Sequence, residues 1–426
     1  MNAPDLVQAT VPDFSSLLVS STGYLREGLD RFISTANGDS KVVDFLNYLF
    51  PAACLEGASD IHMRHHPDGF RILVRVNGVL QERYFLNSAA AREINIKLRS
   101  RCRLEVSDTE SPLDGKFAVA LGDRRVEVRV SLLPNDLGQS IVCRLLDEAN
   151  AAHQLDDIWM PPLLRAALME ALAYEEGIIL NVGPTGSGKT TTLYACLNHL
   201  NEPGIHIITA EDPIEYALKG ANQVSVHPPY RTFAKILRSA LRQDFEVGLV
   251  GEIRDSETAN IAFTAANTGH LMLSTLHTRT TLSTITRLLD LGVKPYEIAD
   301  ALRLITAQRL VRKICDSCST LFVPTTEQVR AMRAQNGGDR IELDRPFYAV
   351  NTRGCEHCHG GYQGRIPVME MLVGTASLRE AVERGDRQAM REEAFSQPQY
   401  APLLQVGLDM SSKRFVDFHT ALKFSQ

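Results

Sequence analysis

IILNVGPTGSGKTT, Ile178 to Thr191, is the stretch from which the rest of this 426-residue chain is read. Ile178 to Val182 is a short apolar run of the kind that forms a buried parallel strand, and the glycine-rich segment after it gives way to a helical pattern. Gly183, Gly188, Lys189 and Thr190 meet the pattern G-x-x-x-x-G-K-[ST]. In such a loop the glycines let backbone N–H groups converge on phosphate oxygens, the following helix N-terminus adds its dipole, and the lysine reaches the β- and γ-phosphates. Thr190 is left to hold Mg²⁺. The expected nucleotide-binding residues are therefore Gly183, Pro184, Thr185, Gly186, Ser187, Gly188, Lys189, Thr190 and Thr191, with ATP and Mg²⁺ as ligands. A plain glycine-rich turn is the competing reading, and the flanking strand and helix count against it.

Around this loop, apolar strands recur between helical patterns. Strands are expected over Ile205 to Thr209, Val247 to Gly251 and Leu271 to Leu276, with helices over Thr190 to Leu200, Thr232 to Arg242, Ser256 to Asn267 and Thr281 to Leu291. That alternation predicts a doubly wound α/β sheet, with ligands at the carboxyl ends of its strands. Further helices are expected over Pro295 to Arg312. At the strand ends, ITAEDPIEY (Ile208 to Tyr216) places Glu211, Asp212 and Glu215, and a carboxylate there can orient or deprotonate a water aimed at a γ-phosphate. Asp212 beside Pro213 reads equally as a turn cap. VGLVGEIRD ends a second strand in Glu252, an acidic partner for bound Mg²⁺. His270 and His277 stand at either side of the Leu271 to Leu276 strand. From spacing alone each reads first as a satisfied core or surface residue.

Toward the N-terminus the periodicity changes. Residues 1–40 read as a short arm or docking segment. Residues 41–150 read as an α+β, PAS-like domain: a helix as far as Pro51, then alternating strands turned at Pro67-Asp68-Gly69, Asn77-Gly78, Gly122-Asp123 and Pro134-Asn135-Asp136. This domain carries twelve Arg and three Lys against fifteen acidic residues, and each arginine reads first as part of an ion pair on a solvated face. A linker over 151–176 joins it to a core over 177–312. Toward the C-terminus, Cys315 and Cys318 face Cys355 and Cys358 across thirty-six residues as two C-x-x-C pairs. In a chain without a disulfide-rich composition such pairs read as a Cys₄ Zn²⁺ site in a small subdomain over 313–372, ahead of a helical tail over 373–426. His357 or His359 stands close enough to replace one thiolate, and redox dithiols are the competing reading.

A formal net charge of −6 and the lack of a basic, aromatic-interleaved stretch count against a nucleic-acid footprint. No signal-like N-terminus and no apolar run long enough to span a bilayer are present, so a cytoplasmic location is expected.

ASDIH, RVNGVL, the phosphate loop, ITAEDPIEY, LRQDFEVGLVGEIRD, TGHLMLSTLHT, AQRL and the paired cysteines occur in this order from about Lys41 to Leu372. Together they resemble the secretion ATPase superfamily, most closely the tetracysteine-containing type II secretion and type IV pilus assembly ATPases. The resemblance implies a RecA-like core and a homo-hexameric ring that is peripheral at the cytoplasmic face of the inner membrane. Its partner there would be a membrane-platform protein. It implies Glu215 as catalytic base, Glu252 as the Walker B glutamate, His270 and His277 as the "His box", and Arg75 and Arg129 as arginines that reach a nucleotide across a domain or subunit boundary. The chain departs from the family in its short N-terminal segment, in Phe245-Glu246 where Pro-Asp is common, and in its ending. The implied function is ATP hydrolysis that powers pilus or pseudopilus assembly, with a DNA-uptake or nucleic-acid translocase motor as the alternative.

Overall fold

The computed structural model describes residues 18–21, 41–121, 124–147, 154–334 and 345–425. The Gly122-Asp123 turn and all of the N-terminal arm except 18–21 lie outside the described residues. The chain divides into two compact units, Met1–Asn150 and Ala151–Gln426.

In the first unit the elements are β1 (Leu18–Ser21), α1 (Lys41–Leu55), β2 (Ala58–His66), β3 (Gly69–Val76), β4 (Val79–Leu86), α2 (Ser88–Cys102), β5 (Leu113–Leu121), β6 (Arg124–Asn135) and β7 (Gly138–Asp147). They form an antiparallel sheet in the order β1-β4-β3-β2-β7-β6-β5. Phe45, Leu49 and Phe50 of α1 and Ile94 and Leu98 of α2 bury against Ile61, Ile72, Val128 and Ile141 of the sheet. Asn77 and Gly78 both take positive φ, which matches the right-handed twist of the strands they join. The first helix does not stop at Pro51 but continues to Leu55. Proline removes one i→i−4 hydrogen bond, and the burial of Phe50, Pro51 and Ala53 in the core offsets that loss. One of the many arginines is wholly internal. Arg99 donates to Asn95 Oδ1 (2.8 Å), the Glu105 carbonyl (2.6 Å) and Gln139 Oε1 (2.8 Å), and so ties α2 to β7.

The second unit runs α3 (Pro162–Leu172), β8 (Gly177–Val182), α4 (Lys189–Leu200), β9 (Ile207–Glu211), β10 (Asn222–Ser225), α5 (Phe233–Ala240), β11 (Val247–Val250), α6 (Ser256–Ala266), β12 (Leu271–Leu276), α7 (Thr281–Asp290), α8 (Pro295–Ala301) and β13 (Leu302–Ile314). It continues with β14 (Thr320–Phe322), α9 (Thr326–Arg333), β15 (Phe347–Ala349), β16 (Tyr362–Val373), α10 (Ala376–Glu383), α11 (Arg387–Ser396), α12 (Leu403–Ser412) and α13 (Phe418–Leu422). The main sheet has the order β10-β9-β11-β12-β8-β13-β16, parallel throughout except for β16. Its alternate side chains feed two cores, as a doubly wound sheet requires. Ile179, Leu249, Leu273 and Leu304 pack toward α3 and α4, while Leu180, Val250, Met272 and Ile305 pack toward α5, α6 and α8. Every residue of β8 is buried.

One expectation is corrected. The helix read over Pro295 to Arg312 ends at Ala301, and Leu302–Ile314 is the longest strand of the sheet. LRLITAQRLVRKI has no clean period, because its first half is buried on both faces. Its conformation is set by neighbours: parallel pairing with β8 on one side and an antiparallel ladder with β16 on the other.

Candidate active site

The loop between β8 and α4 is held open by its own backbone. Gly186 and Gly188 adopt φ of 78° and 86°, where a side chain is strained, and a Cβ on Gly188 would also meet the Gln308 amide at 2.8 Å. The loop carries an unsatisfied interior: Ser187 Oγ is buried without a hydrogen-bond partner among the described residues. Lys189 Nζ donates to the carbonyls of Gly183 (2.8 Å) and Pro184 (3.1 Å), folding the lysine back over the loop. Burial, with a smaller contribution from the Arg309 charge, pushes its pKa down to about 8. A glycine cradle, an orphaned hydroxyl and a lysine held only by carbonyls suit a polyphosphate, and Thr190 at the start of α4 lies on the same wall for a divalent cation.

The loop borders a cavity of about 480 Å³ at the carboxyl ends of β8, β9, β11 and β12. Its carboxylates are not equivalent. Glu211, buried at the end of β9, accepts from Tyr194 Oη (2.5 Å) and Thr209 Oγ1 (2.5 Å), and Gln223 Nε2 adds a bond at 3.2 Å. Both of its oxygens are engaged, and burial with the Glu211 charge raises the Tyr194 phenol pKa. Glu215 lies on the cavity wall beyond it. Asp212 is exposed and lies 3.8 Å from Arg254 Nη1. Glu252, after β11, pairs with Arg254 and with His277 Nε2 at 2.9 Å. A carboxylate only accepts, so that ring nitrogen carries the proton. Partial burial and the Lys189 and Arg254 charges lower the imidazole's pKa, which favours the neutral ring.

His270 is not brought to this cavity. Seven residues along a strand at about 3.3 Å each separate the two histidines by roughly 20 Å. His270 sits at the amino end of β12, with Nδ1 3.1 Å from the Ala265 carbonyl and its ring 4.3 Å from that of Phe245. Arg75 and Arg129 belong to the first unit. Arg75 is bonded to the Gly78 carbonyl (3.1 Å) and faces the buried Asp60 at 3.5 Å, and Arg129 lies 3.2 Å from Glu127.

Gln308 was missed as a functional residue. From β13 it donates through Nε2 to the Ser187 carbonyl (2.9 Å) and accepts at Oε1 from Asn181 Nδ2 (3.0 Å) and Thr192 Oγ1 (2.9 Å). One buried amide thus ties strand, loop and helix together. The motif AQRL held the signal, but a helical reading of the segment gave this side chain no defined direction.

The four cysteines converge. Their Sγ atoms all lie within 4.8 Å of one another, with Cys315 to Cys355 at 3.8 Å and Cys318 to Cys358 and Cys355 to Cys358 at 3.7 Å. A Zn–S bond of about 2.3 Å gives a tetrahedral edge of about 3.8 Å. The cluster therefore has the spacing of a tetrathiolate site, and these separations are far from the S–S bond that dithiol pairs would form. His357 is exposed beside Glu356, and neither it nor His359 joins the group.

The model of the family described as "Type II/IV secretion system protein" matches residues 35–423. This chain belongs to that family. The type II secretion system proteins E of this family include a putative one from Escherichia coli K12, 40% identical over 86% of this chain and 73% of the relative. The one from Aeromonas hydrophila is 40% identical over 82% and 68%. The type IV pilus assembly ATPase PilB of Pseudomonas aeruginosa is 38% identical over 84% of this chain and 62% of its own length. Among solved structures, the pilus retraction motor PilT with bound ADP superposes with a TM-score of 0.62 at 25% identity, over 88% of this chain and 96% of PilT. This chain is an ATPase with an α/β fold and a cysteine cluster compatible with zinc.

Two outcomes follow from this geometry. Gln308→Leu should raise KM for ATP roughly tenfold while lowering kcat less, because a loosened loop loses ground-state phosphate contacts and each orphaned buried group costs about 1–3 kcal/mol. Steady-state kinetics test this, and a parental KM would remove Gln308 from the loop's support. The second concerns Lys189, whose folded-state pKa of about 8 lies below the ordinary lysine value of 10.5. The protonated lysine is therefore a cost in the nucleotide-free protein below pH 8, and the cost is relieved as pH rises from about 8 toward 10.5. Phosphate oxygens favour the charged form, so ATP binding should take up a fraction of a proton at pH 8.5 and almost none from this group at pH 6.5. Calorimetric titration in buffers of different ionisation heat measures this, and equal uptake at both pH values would contradict it.

Proposed function

We propose that this chain is the hexameric motor ATPase of a type IV pilus or type II secretion assembly, peripheral at the cytoplasmic face of the inner membrane and docked on a membrane-platform protein. The observation that carries the reading is the convergence of a lysine-bearing phosphate loop, Glu215 and the Glu252–His277 pair on one cavity of a secretion-family chain. The names of its relatives support the assignment to secretion or pilus assembly.

In this reading Lys189 leaves the carbonyls of Gly183 and Pro184 for the β- and γ-phosphates, and the loop's N–H groups hold the remaining oxygens. Glu215 takes a proton from the attacking water; the water oxygen bonds to Pγ and the bond from Pγ to the bridging oxygen of ADP breaks. Glu211 is disfavoured for that task because both its oxygens are already hydrogen-bonded. Glu252 is held by His277 and Arg254, and on loss of the γ-phosphate this linked set can rearrange. Mg²⁺, when bound, supplies charge neutralisation on the phosphates, with Thr190 and Glu252 as the residues that would hold it. Zn²⁺ on Cys315, Cys318, Cys355 and Cys358 would be structural, since four thiolates leave no open position.

Lys189→Ala should abolish tight ATP binding, whereas Glu215→Gln should keep binding and lose turnover by about 100-fold or more. Nucleotide affinity and phosphate release on both variants, with sedimentation of the parent in ATP, test the motor reading. Parental turnover in the Glu215 variant would overturn the base assignment, and a monomer at all concentrations would overturn the ring. Metal analysis of protein purified without added zinc should find about one Zn²⁺ per chain, and Cys355→Ser should lose it while the phosphate loop still binds nucleotide. A metal-free chain with parental stability would favour the dithiol reading.

A further inference from the structure

A second cavity, of about 650 Å³, adjoins the nucleotide cavity and shares Thr185 and His277 with it. It lies wholly within the second unit, between the phosphate loop, the start of α7 and the start of α12. Its lining includes three permanent cations, Arg279, Arg309 and Lys423, and a single carboxylate, Glu370. That carboxylate is already engaged. Buried on β16, Glu370 Oε1 accepts from the backbone N–H (2.8 Å) and hydroxyl (2.6 Å) of Thr281 at the start of α7. Its Oε2 accepts from the backbone N–H of Leu403 (3.2 Å) at the start of α12. It thus answers the positive ends of two helices, each of ten residues.

The cations have no such answer. Arg309 spends its donors on the carbonyls of Gln308 (3.0 Å) and Arg279 (2.8 Å), and neither bond neutralises charge. Among the described residues, no carboxylate lies within ion-pair distance of Arg279, Arg309 or Lys423. Burial and the Arg279 charge both disfavour protonated Arg309, and Glu370 only partly compensates. A chamber with an excess of fixed positive charge, adjoining the nucleotide cavity at Thr185 and His277, suits a small multivalent anion.

We propose that this second cavity is a phosphate-binding chamber that receives inorganic phosphate after it leaves the γ-position, with Arg279, Arg309 and Lys423 as its charged contacts. The proposal rests on the ATPase reading above for the source of the phosphate. It adds a site separate from the nucleotide cradle, in which the phosphate's oxygens accept from the guanidinium and ammonium groups of the cavity lining.

The test uses the full chain with the nucleotide cradle filled by Mg²⁺ and a non-hydrolysable ATP analogue, so that the γ-position is not free. Inorganic phosphate is then titrated calorimetrically into the parent and into Arg279→Ser/Lys423→Ser. The parent should bind one phosphate, and the double variant should bind it roughly tenfold or more weakly while its affinity for the analogue stays parental. In turnover assays, added phosphate should inhibit the variant less than the parent. No phosphate binding to the filled parent, or equal binding in parent and variant, would overturn the proposal. Two analogue molecules per parent chain and one per variant chain would identify a second nucleotide as the occupant and overturn the assignment to free phosphate. Failure of the analogue to bind at all would instead count against the ATPase reading, and is seen separately in the first titration.

Discussion

The side-chain amide of Gln308 is the interaction on which the rest of the nucleotide site depends. Its three partners lie on β8, in the phosphate loop and on α4, so one buried group fixes the relative placement of the strand that ends in the loop, the loop itself and the helix that begins after it. An amide is suited to this because it donates and accepts from one rigid plane. Removing it would leave the Ser187 carbonyl and the Asn181 amide without these partners in the interior, which costs more than the net worth of the hydrogen bonds lost. The loop's glycines confer freedom, and Gln308 restricts that freedom to one arrangement.

The strand that carries Gln308 also links the loop to the cysteine cluster. β13 ends at Ile314, one residue before Cys315, and β16 begins at Tyr362, four residues after Cys358. The antiparallel ladder between them runs out to the Ile314–Tyr362 pair. A tetrathiolate centre there would close the end of the longest strand pair in the sheet. The intervening segment, with β14, α9 and β15, shares the apolar core of the second unit, where Met332 and Phe347 are buried and Phe347 packs on Phe418 of α13. A metal clip at a strand end is an economical way to stabilise so short an insertion, because the ion replaces apolar area that the insertion lacks.

Charge is distributed unevenly around the sheet's carboxyl edge. Glu211 is locked by hydroxyl donors, Glu252 by a guanidinium and an imidazole, and Glu370 by two helix starts. Each carboxylate answers a different local positive potential, so they are not interchangeable although they sit on neighbouring elements. The arginines show the same division: Arg99 is an internal tie of the first unit, whereas Arg309 donates to the Arg279 backbone carbonyl and both line the second cavity. Residue type alone does not distinguish these roles, and the partner does.

The phosphate loop, the parallel strand before it, the carboxylates at neighbouring strand ends and the paired cysteines were legible in the sequence, because each depends on local spacing. A glycine at a positive φ, a buried apolar run and a C-x-x-C turn are set within a few residues. The strand at Leu302–Ile314 was not legible, since a segment buried on both faces has no period and its conformation is imposed by pairing with residues more than a hundred positions earlier and some fifty later. With that strand went Gln308, whose direction is defined only once the ladder exists. That both oxygens of Glu211 are taken up in hydrogen bonds, and that His270 and His277 occupy opposite ends of one strand, were likewise decided by tertiary structure. Hydrogen-bond saturation of a carboxylate and the separation across a six-residue strand are properties of assembled neighbours, and no local pattern encodes them.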